Sequence, residues 1–195
     1  AHLIASRIYL YMEEWDQVIA HATKAMAGAP GLVYLPDYAY SNQYSPEYAT
    51  NPVVSSAFPE TIFVYGAMPG TMGFAGTAIC LSDDVVNSYT DNGDSRNGKY
   101  FKKAGSNLIY PYKELKHGMA ERGYVWRTAE LYLNRAEAYM QKYKAGESSA
   151  GQLAVDDLNE LRSNRITNYT PYQLSSAEDL EALCKWERRR ELIFE

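Results

Sequence analysis

The apolar positions of the chain fall into two helix-like blocks separated by a long stretch without a period. In the first block, Leu3, Ile8 and Leu10 with Tyr9 make a helix apolar over most of its face, and Glu13-Glu14-Trp15-Asp16 marks a bend. Val18, Ala22, Ala25 and Met26 then recur at i, i+4, i+7 and i+8, the stripe of an amphipathic helix. Gly28 and Pro30 end it in the usual order. In the second block, Val125, Ala129, Tyr132, Ala136, Met140 and Tyr143 share one stripe and predict a helix over 124–143. Gly146 to Gly151 reads as a flexible turn, and Ala154, Leu158 and Leu161 give the next helix its apolar face. Pro171 breaks the chain; Ser175 and Glu178 then read as a capping box for a last helix whose apolar side carries Leu180, Leu183, Trp186 and Ile193.

Between the blocks the pattern dissolves. Tyr34, Tyr38, Tyr40, Tyr44 and Tyr48 are interleaved with Pro36, Ser41, Asn42, Ser45 and Pro46, which reads as a long tyrosine-rich loop over 31–60. Long loops inside compact domains are uncommon and often functional. Thr61 to Tyr65 is β-branched and aromatic, so a short strand is expected there. Gly66 to Gly76 is glycine-rich but lacks the Lys-Ser/Thr ending of a phosphate-binding loop and the spacing of a dinucleotide fingerprint, so it reads as a flexible loop. Ser82 is placed to cap a short helix with Asp83 and Asp84 in its first turn, and Asp91-Asn92-Gly93-Asp94 is turn chemistry.

The first helix pair matches the tetratricopeptide pattern in register, with Tyr9 at the large position, Trp15 as the aromatic opening the second helix, Ala25 at the small position and Pro30 closing the unit. Residues 124–165 again read as a helix pair with small residues at its contacts. The expectation is one mainly α domain, a single unit over 1–195: a helix-pair repeat over 1–30, a loop-rich excursion with little β over 31–123, and helical repeats over 124–195, the last incomplete. Ala1-His2-Leu3-Ile4 reads as the inside of a helix, and Glu191 to Glu195 stops inside a helical pattern. The chain is therefore expected to be a piece of a longer one.

Composition narrows the function. The chain has 195 residues, 46% of them hydrophobic, so it should bury one core. A net charge of −5 argues against nucleic acid as a partner. Cys80 and Cys184 lie far apart without metal spacing and read as buried free thiols. His2, His21 and His117 are dispersed, with no HExxH, and neither Asp83-Asp84 nor Asp156-Asp157 has the geometry of a glycosidase pair. No catalytic residue, metal ligand or cofactor site is expected. Glu187-Arg188-Arg189-Arg190-Glu191 is a charge run of the kind that is usually solvated; here arginines forking onto a neighbouring helix are the favoured role. Tyrosine stands out, with 18 against 5 Phe and 3 Trp, and suits wet, polar ligands as well as packing between helices.

Trp126 to Tyr139, Asp157 to Arg165 and Glu187 to Glu195, taken together and in this order, resemble motifs of the SusD/RagB family of glycan-binding outer-membrane lipoproteins of Bacteroidetes. Trp126 to Tyr139 is similar to that family's "R-x-AE-x-YL-x-x-AEA" helix, Asp157 to Arg165 to its "LN-x-I/L-R-x-R" helix, and Glu187 to Glu195 to its "ERRREL-x-FE" signature. Leu81 to Asp84 through Gly93 to Arg96 resembles a fourth segment, and the helix pair at 1–30 looks like the family's second repeat. The resemblance implies a SusD-like fold and an outward-facing lipoprotein of the outer membrane. It implies a non-enzymatic protein that passes glycans to a SusC-type TonB-dependent transporter, with membrane attachment only through a lipid anchor outside these residues.

The resemblance does not hand over ligand contacts. Sugars bind aromatic platforms flanked by hydroxyl and amide groups. On that ground the ligand-binding candidates are Tyr38, Tyr40, Tyr44 and Tyr48 in the tyrosine-rich loop, with Phe74 in the glycine-rich loop. A general tetratricopeptide scaffold holding a peptide or protein partner on its concave face is the alternative.

Overall fold

The computed structural model describes residues 1–38, 53–68, 81–103, 112–114, 116, 122–193 and 195. It is mainly helical. The first pair, α1 (His2–Tyr11) and α2 (Trp15–Met26), turns at Glu13, whose φ of 60° reverses the chain in a few residues. Val18 and Ala22 are fully buried, so the predicted stripe of α2 is its packing face. Tyr9 stacks on His21 at 5.3 Å across the pair. α1 buries only one side: Leu3 and Ser6 are inside, while Ile8 is 53% exposed and Tyr11 85% exposed.

Strand β1 (Thr61–Met68) extends the segment expected as a strand. Helix α3 (Asp83–Asn87) starts where Ser82 and the two aspartates signal it, although the Ser82 side chain makes no capping bond. A short kinked segment, α4 (Arg96–Lys99), with non-helical backbone at Asn97 and Gly98, leads into strands β2 (Phe101–Lys103) and β3 (Tyr112–Glu114), which pair antiparallel. Strand β4 (Arg122–Arg127) returns to pair antiparallel with β1. It runs straight into α5 (Thr128–Lys144), so the helix expected from residue 124 begins four residues later. Val125 continues the helical stripe by coincidence of spacing; its own burial is that of an inward strand position between outward Tyr124 and Trp126.

α5 forms a hairpin with α6 (Ser148–Ser163), and α7 (Ala177–Glu191) packs across it. Ala129, Leu133, Ala136, Met140, Leu158, Leu161 and Leu180 make this core. Gly151, expected in a turn, lies inside α6: a Cβ there would meet the Tyr143 ring at 2.9 Å, so the glycine sets the close approach of α5 and α6. The cap of α7 is Ser176, which accepts from the Asp179 amide; Ser175, the expected cap, instead bonds the Asp179 carboxylate. α2 packs on α5 through Ala22 and Leu131, so the two helical blocks stack directly on each other.

The excursion between the blocks has a core of its own. Leu35, Val53, Phe58, Leu81, Val85, Tyr89, Tyr100 and Phe101 cluster together. The described parts of 31–60 are thus packed, because their hydrophobics converge from turns, where no helical or strand period exists to reveal them.

A buried ion network ties the excursion to the helices. Glu191 accepts from Arg127, Arg165 and the Tyr100 hydroxyl on Oε1 at 3.0–3.1 Å, and from Arg165 and Arg96 on Oε2 at 3.1 and 3.3 Å. Glu187 accepts from Arg96 and, at 2.7 Å, from Arg162. Glu60 accepts from Arg165 at 2.8 and 2.9 Å. Asp94 holds Arg96 in a two-bonded fork. Glu195 pairs with Arg127 and Lys116. Burial alone would raise the pKa of Glu191, but Arg165, Arg127 and Arg96 outweigh it and hold the carboxyl well below its usual range. The acids flanking the charge run are therefore interior ligands for distant arginines, while Arg188 forks outward onto Glu137 and Asn134 of α5.

Candidate functional site

The β1–β4 ribbon alternates strictly along β4 from Tyr124 to Arg127. Val125 and Arg127 point inward, where Arg127 is fully buried in the ion network. Tyr124 and Trp126 point the other way and meet Tyr65 and Phe63 as their cross-strand partners. Phe63, Tyr65 and Tyr124 remain 52%, 40% and 54% exposed. Tyr65 stacks on Tyr124 at 5.3 Å and sits 5.0 Å from Trp126, and Phe63 lies 5.3 Å from Trp126. Four aromatic rings thus share one solvent-facing side of a two-stranded ribbon whose other side is fastened by Arg127.

Trp126 has two further features. The Arg7 guanidinium of α1 lies over its ring at 5.5 Å, and the same guanidinium forks onto Glu130 of α5 with two bonds of 2.6 Å. The fork raises the Arg7 pKa against the burial that would lower it. The Trp126 Nε1–H is buried without an acceptor among the described residues. An orphaned buried donor costs roughly 1–3 kcal/mol.

The ribbon forms one wall of an open cleft of about 930 Å³. Arg7, Leu10 and Tyr11 of α1 line a second wall, and Lys185, Arg188 and Arg189 of α7 a third. A smaller groove of about 470 Å³ runs between the α1–α2 pair and the Ile62–Phe63 edge of the ribbon.

Of the residues nominated from sequence, Tyr38 is described. Its ring meets Phe58 edge-on at 5.1 Å, and its carbonyl accepts from Lys99 at 2.6 Å. It is half-buried against the excursion's core, and burial raises its hydroxyl pKa. Tyr40, Tyr44, Tyr48 and Phe74 lie outside the described residues. Sequence reasoning missed the ribbon face. The signal was available in the alternation of Tyr124, Val125, Trp126 and Arg127, but it overlaps the stripe of the following helix. His2 and His21 touch each other at the surface beside Tyr9, a packing arrangement. No described helix is long and apolar enough to cross a membrane.

The described residues thus combine two stacked helical blocks with a packed excursion whose ribbon turns an aromatic face to solvent. A family model described as the SusD family matches residues 89–195, more than half of the chain, and the chain belongs to that family. The matched span contains Asp94, Arg96, Arg127, Arg162, Arg165, Glu187, Glu191 and Glu195, most of the buried ion network. The family's general role is glycan binding in nutrient uptake, by binding proteins that are typically found at the cell surface. No curated protein matches the chain.

Proposed function

We propose that this protein captures glycans at the outer face of the outer membrane and passes them to a SusC-type TonB-dependent transporter, without chemistry of its own. In this reading it is a lipoprotein whose anchor lies outside these residues. Residues 1–30 and 124–195 are mainly scaffold, and the ligand-binding rings come from 31–123 together with Tyr124 and Trp126 at the start of the second helical block. The observation that carries the reading is the exposed aromatic side of the ribbon within a SusD-family chain. Sugar rings present apolar C–H faces that stack on aromatic rings, and hydroxyl rims that need nearby polar groups. Phe63, Tyr65, Tyr124 and Trp126 supply the rings, and the Arg7 guanidinium beside them supplies a polar partner. Tyr38, Tyr40, Tyr44, Tyr48 and Phe74 remain proposed as further contacts.

Isothermal titration against a panel of oligosaccharides tests this. The expected result is binding of at least one glycan, weakened about tenfold by Tyr65→Ala or Tyr124→Ala, as loss of a stacking platform implies. Failure to bind any glycan would overturn the reading.

A second reading has its own observation. Ile4 and Ile8 leave an apolar side of α1 open, and Ile4 lines the smaller groove. A peptide or protein partner would cover such a surface in a general repeat scaffold. Capture of a protein partner that Ile8→Glu abolishes, in a chain that binds no glycan, would favour it.

A further inference from the structure

We propose that the cleft between α1, the aromatic ribbon and the end of α7 is a subsite for acidic sugars, taking the uronate units of an oligosaccharide. The inference rests on the glycan-binding reading above and adds the ligand class and the residues that select it.

The charge of the cleft carries the argument. Its walls hold four cations, Arg7, Lys185, Arg188 and Arg189, against two carboxylates, Glu130 and Glu195, in a chain whose net charge is −5. Both carboxylates are already satisfied. Arg7 takes both oxygens of Glu130, and Lys116 and Arg127 hold Glu195 from behind the wall, leaving its side chain 9% exposed. Neither carboxylate stands as an uncompensated charge against an incoming anion. The cations are paired in turn, Arg7 with Glu130, Lys185 with Glu181 and Arg188 with Glu137, so among the described residues Arg189 is the one uncompensated charge of the walls, and an unpaired cation in a concave surface focuses a positive field into it.

The cations are not equivalent. Arg188 is spent on Glu137 and Asn134, and Lys185 on Glu181. Arg189 is exposed, lies over the Trp186 ring at 5.4 Å, and forms no ion pair among the described residues. With its charge over the indole and no ion-pair partner among the described residues, this guanidinium keeps the N–H fork that receives a carboxylate through two parallel bonds. A neutral sugar would use the ring platform of Tyr65 and Tyr124 and leave this fork empty. A uronate uses both: its pyranose face on the rings and its carboxylate on Arg189.

The test is calorimetric titration of the full chain with hexagalacturonate, maltohexaose, xylohexaose and hexaglutamate. Hexagalacturonate is expected to bind about tenfold or more tightly than either neutral sugar, and to weaken by roughly tenfold between about 50 mM and about 500 mM NaCl, as a partly exposed ionic contact does. Arg189→Ala should cost about tenfold for hexagalacturonate and nothing for a neutral sugar, whereas Tyr124→Ala should weaken both. Both positions are exposed, so unchanged thermal melting is expected to confirm folding. Equal or tighter binding of a neutral sugar, or indifference to Arg189→Ala, would overturn the acidic-sugar assignment while leaving glycan binding intact. Hexaglutamate binding as tightly as hexagalacturonate would overturn the sugar component. Absence of binding to every glycan would remove the underlying reading as well.

Discussion

Arg165 forks onto Glu191 with Nε 3.1 Å from Oε2 and Nη2 3.0 Å from Oε1, both side chains fully buried. The same guanidinium reaches Glu60 in the excursion, so one arginine at the end of α6 joins the last helix to the segment that precedes the ribbon. Removing one partner of such a pair leaves an uncompensated interior charge, which typically costs about 3–5 kcal/mol. Arg165→Ala and Glu191→Ala should each lower stability by roughly that amount in chemical denaturation. A loss within about 1 kcal/mol, the size seen for surface pairs, would show that the network is solvated.

Acid should dissolve the network before it affects the helical core. Burial opposes ionisation of Glu187, Glu191 and Glu195, yet the surrounding cations hold all three below the ordinary value of 4.5. In the acid range the unfolded chain therefore binds more protons than the folded one. This stabilisation is fully present above about pH 4.5 and is lost as pH falls through the lowered values. Melting temperature is expected to drop steeply below about pH 4.5, and less steeply relative to its neutral value in Glu187→Gln. A flat profile down to about pH 3 would contradict the assignment.

The helix contact at Gly151 gives a sterically graded series. Alanine there gains helix propensity of about 1 kcal/mol, which offsets the push against Tyr143 and Leu174. Leucine adds bulk that the contact cannot take, so Gly151→Leu should destabilise by roughly 1–3 kcal/mol while Gly151→Ala stays near neutral. Thermal melting of the two variants reads the difference; equal melting temperatures would place Gly151 in open space.

Cys184 is buried in the α5–α6–α7 core, and burial pushes its thiol up to about 12. The native protein should resist iodoacetamide at Cys184 at neutral pH, and denaturant should expose it. Peptide mapping by mass spectrometry checks this; modification of Cys184 in the folded chain would contradict its place in the core.

The helix pairs were legible because a period of 3.6 residues shows through Val18–Ala22–Met26 and Ala129–Ala136–Met140 without any tertiary knowledge. The ribbon face was not legible. Phe63 and Trp126 become neighbours only through strand register, and a short strand joined directly to a helix has too few residues to display its own period. The charge run at Glu187 to Glu191 was legible as structural, but not as interior. Its partners Arg96, Arg127, Arg162 and Arg165 come from three separate segments, and nothing local distinguishes a buried acid from a solvated one. The tyrosine-rich loop announced itself by composition, yet composition does not separate Tyr38, packed on Phe58, from a ring free to stack on a ligand.

The central claim is that the aromatic side of the β1–β4 ribbon faces the ligand. Hydroxyl-radical footprinting, with mass spectrometry of the oxidised side chains, measures this most directly in the presence and absence of a bound oligosaccharide. The account predicts that glycan protects Tyr65, Tyr124 and Trp126 from oxidation, while buried Tyr100 stays unreactive in both states. Protection that leaves Tyr65 and Tyr124 as reactive as in the free protein would contradict it.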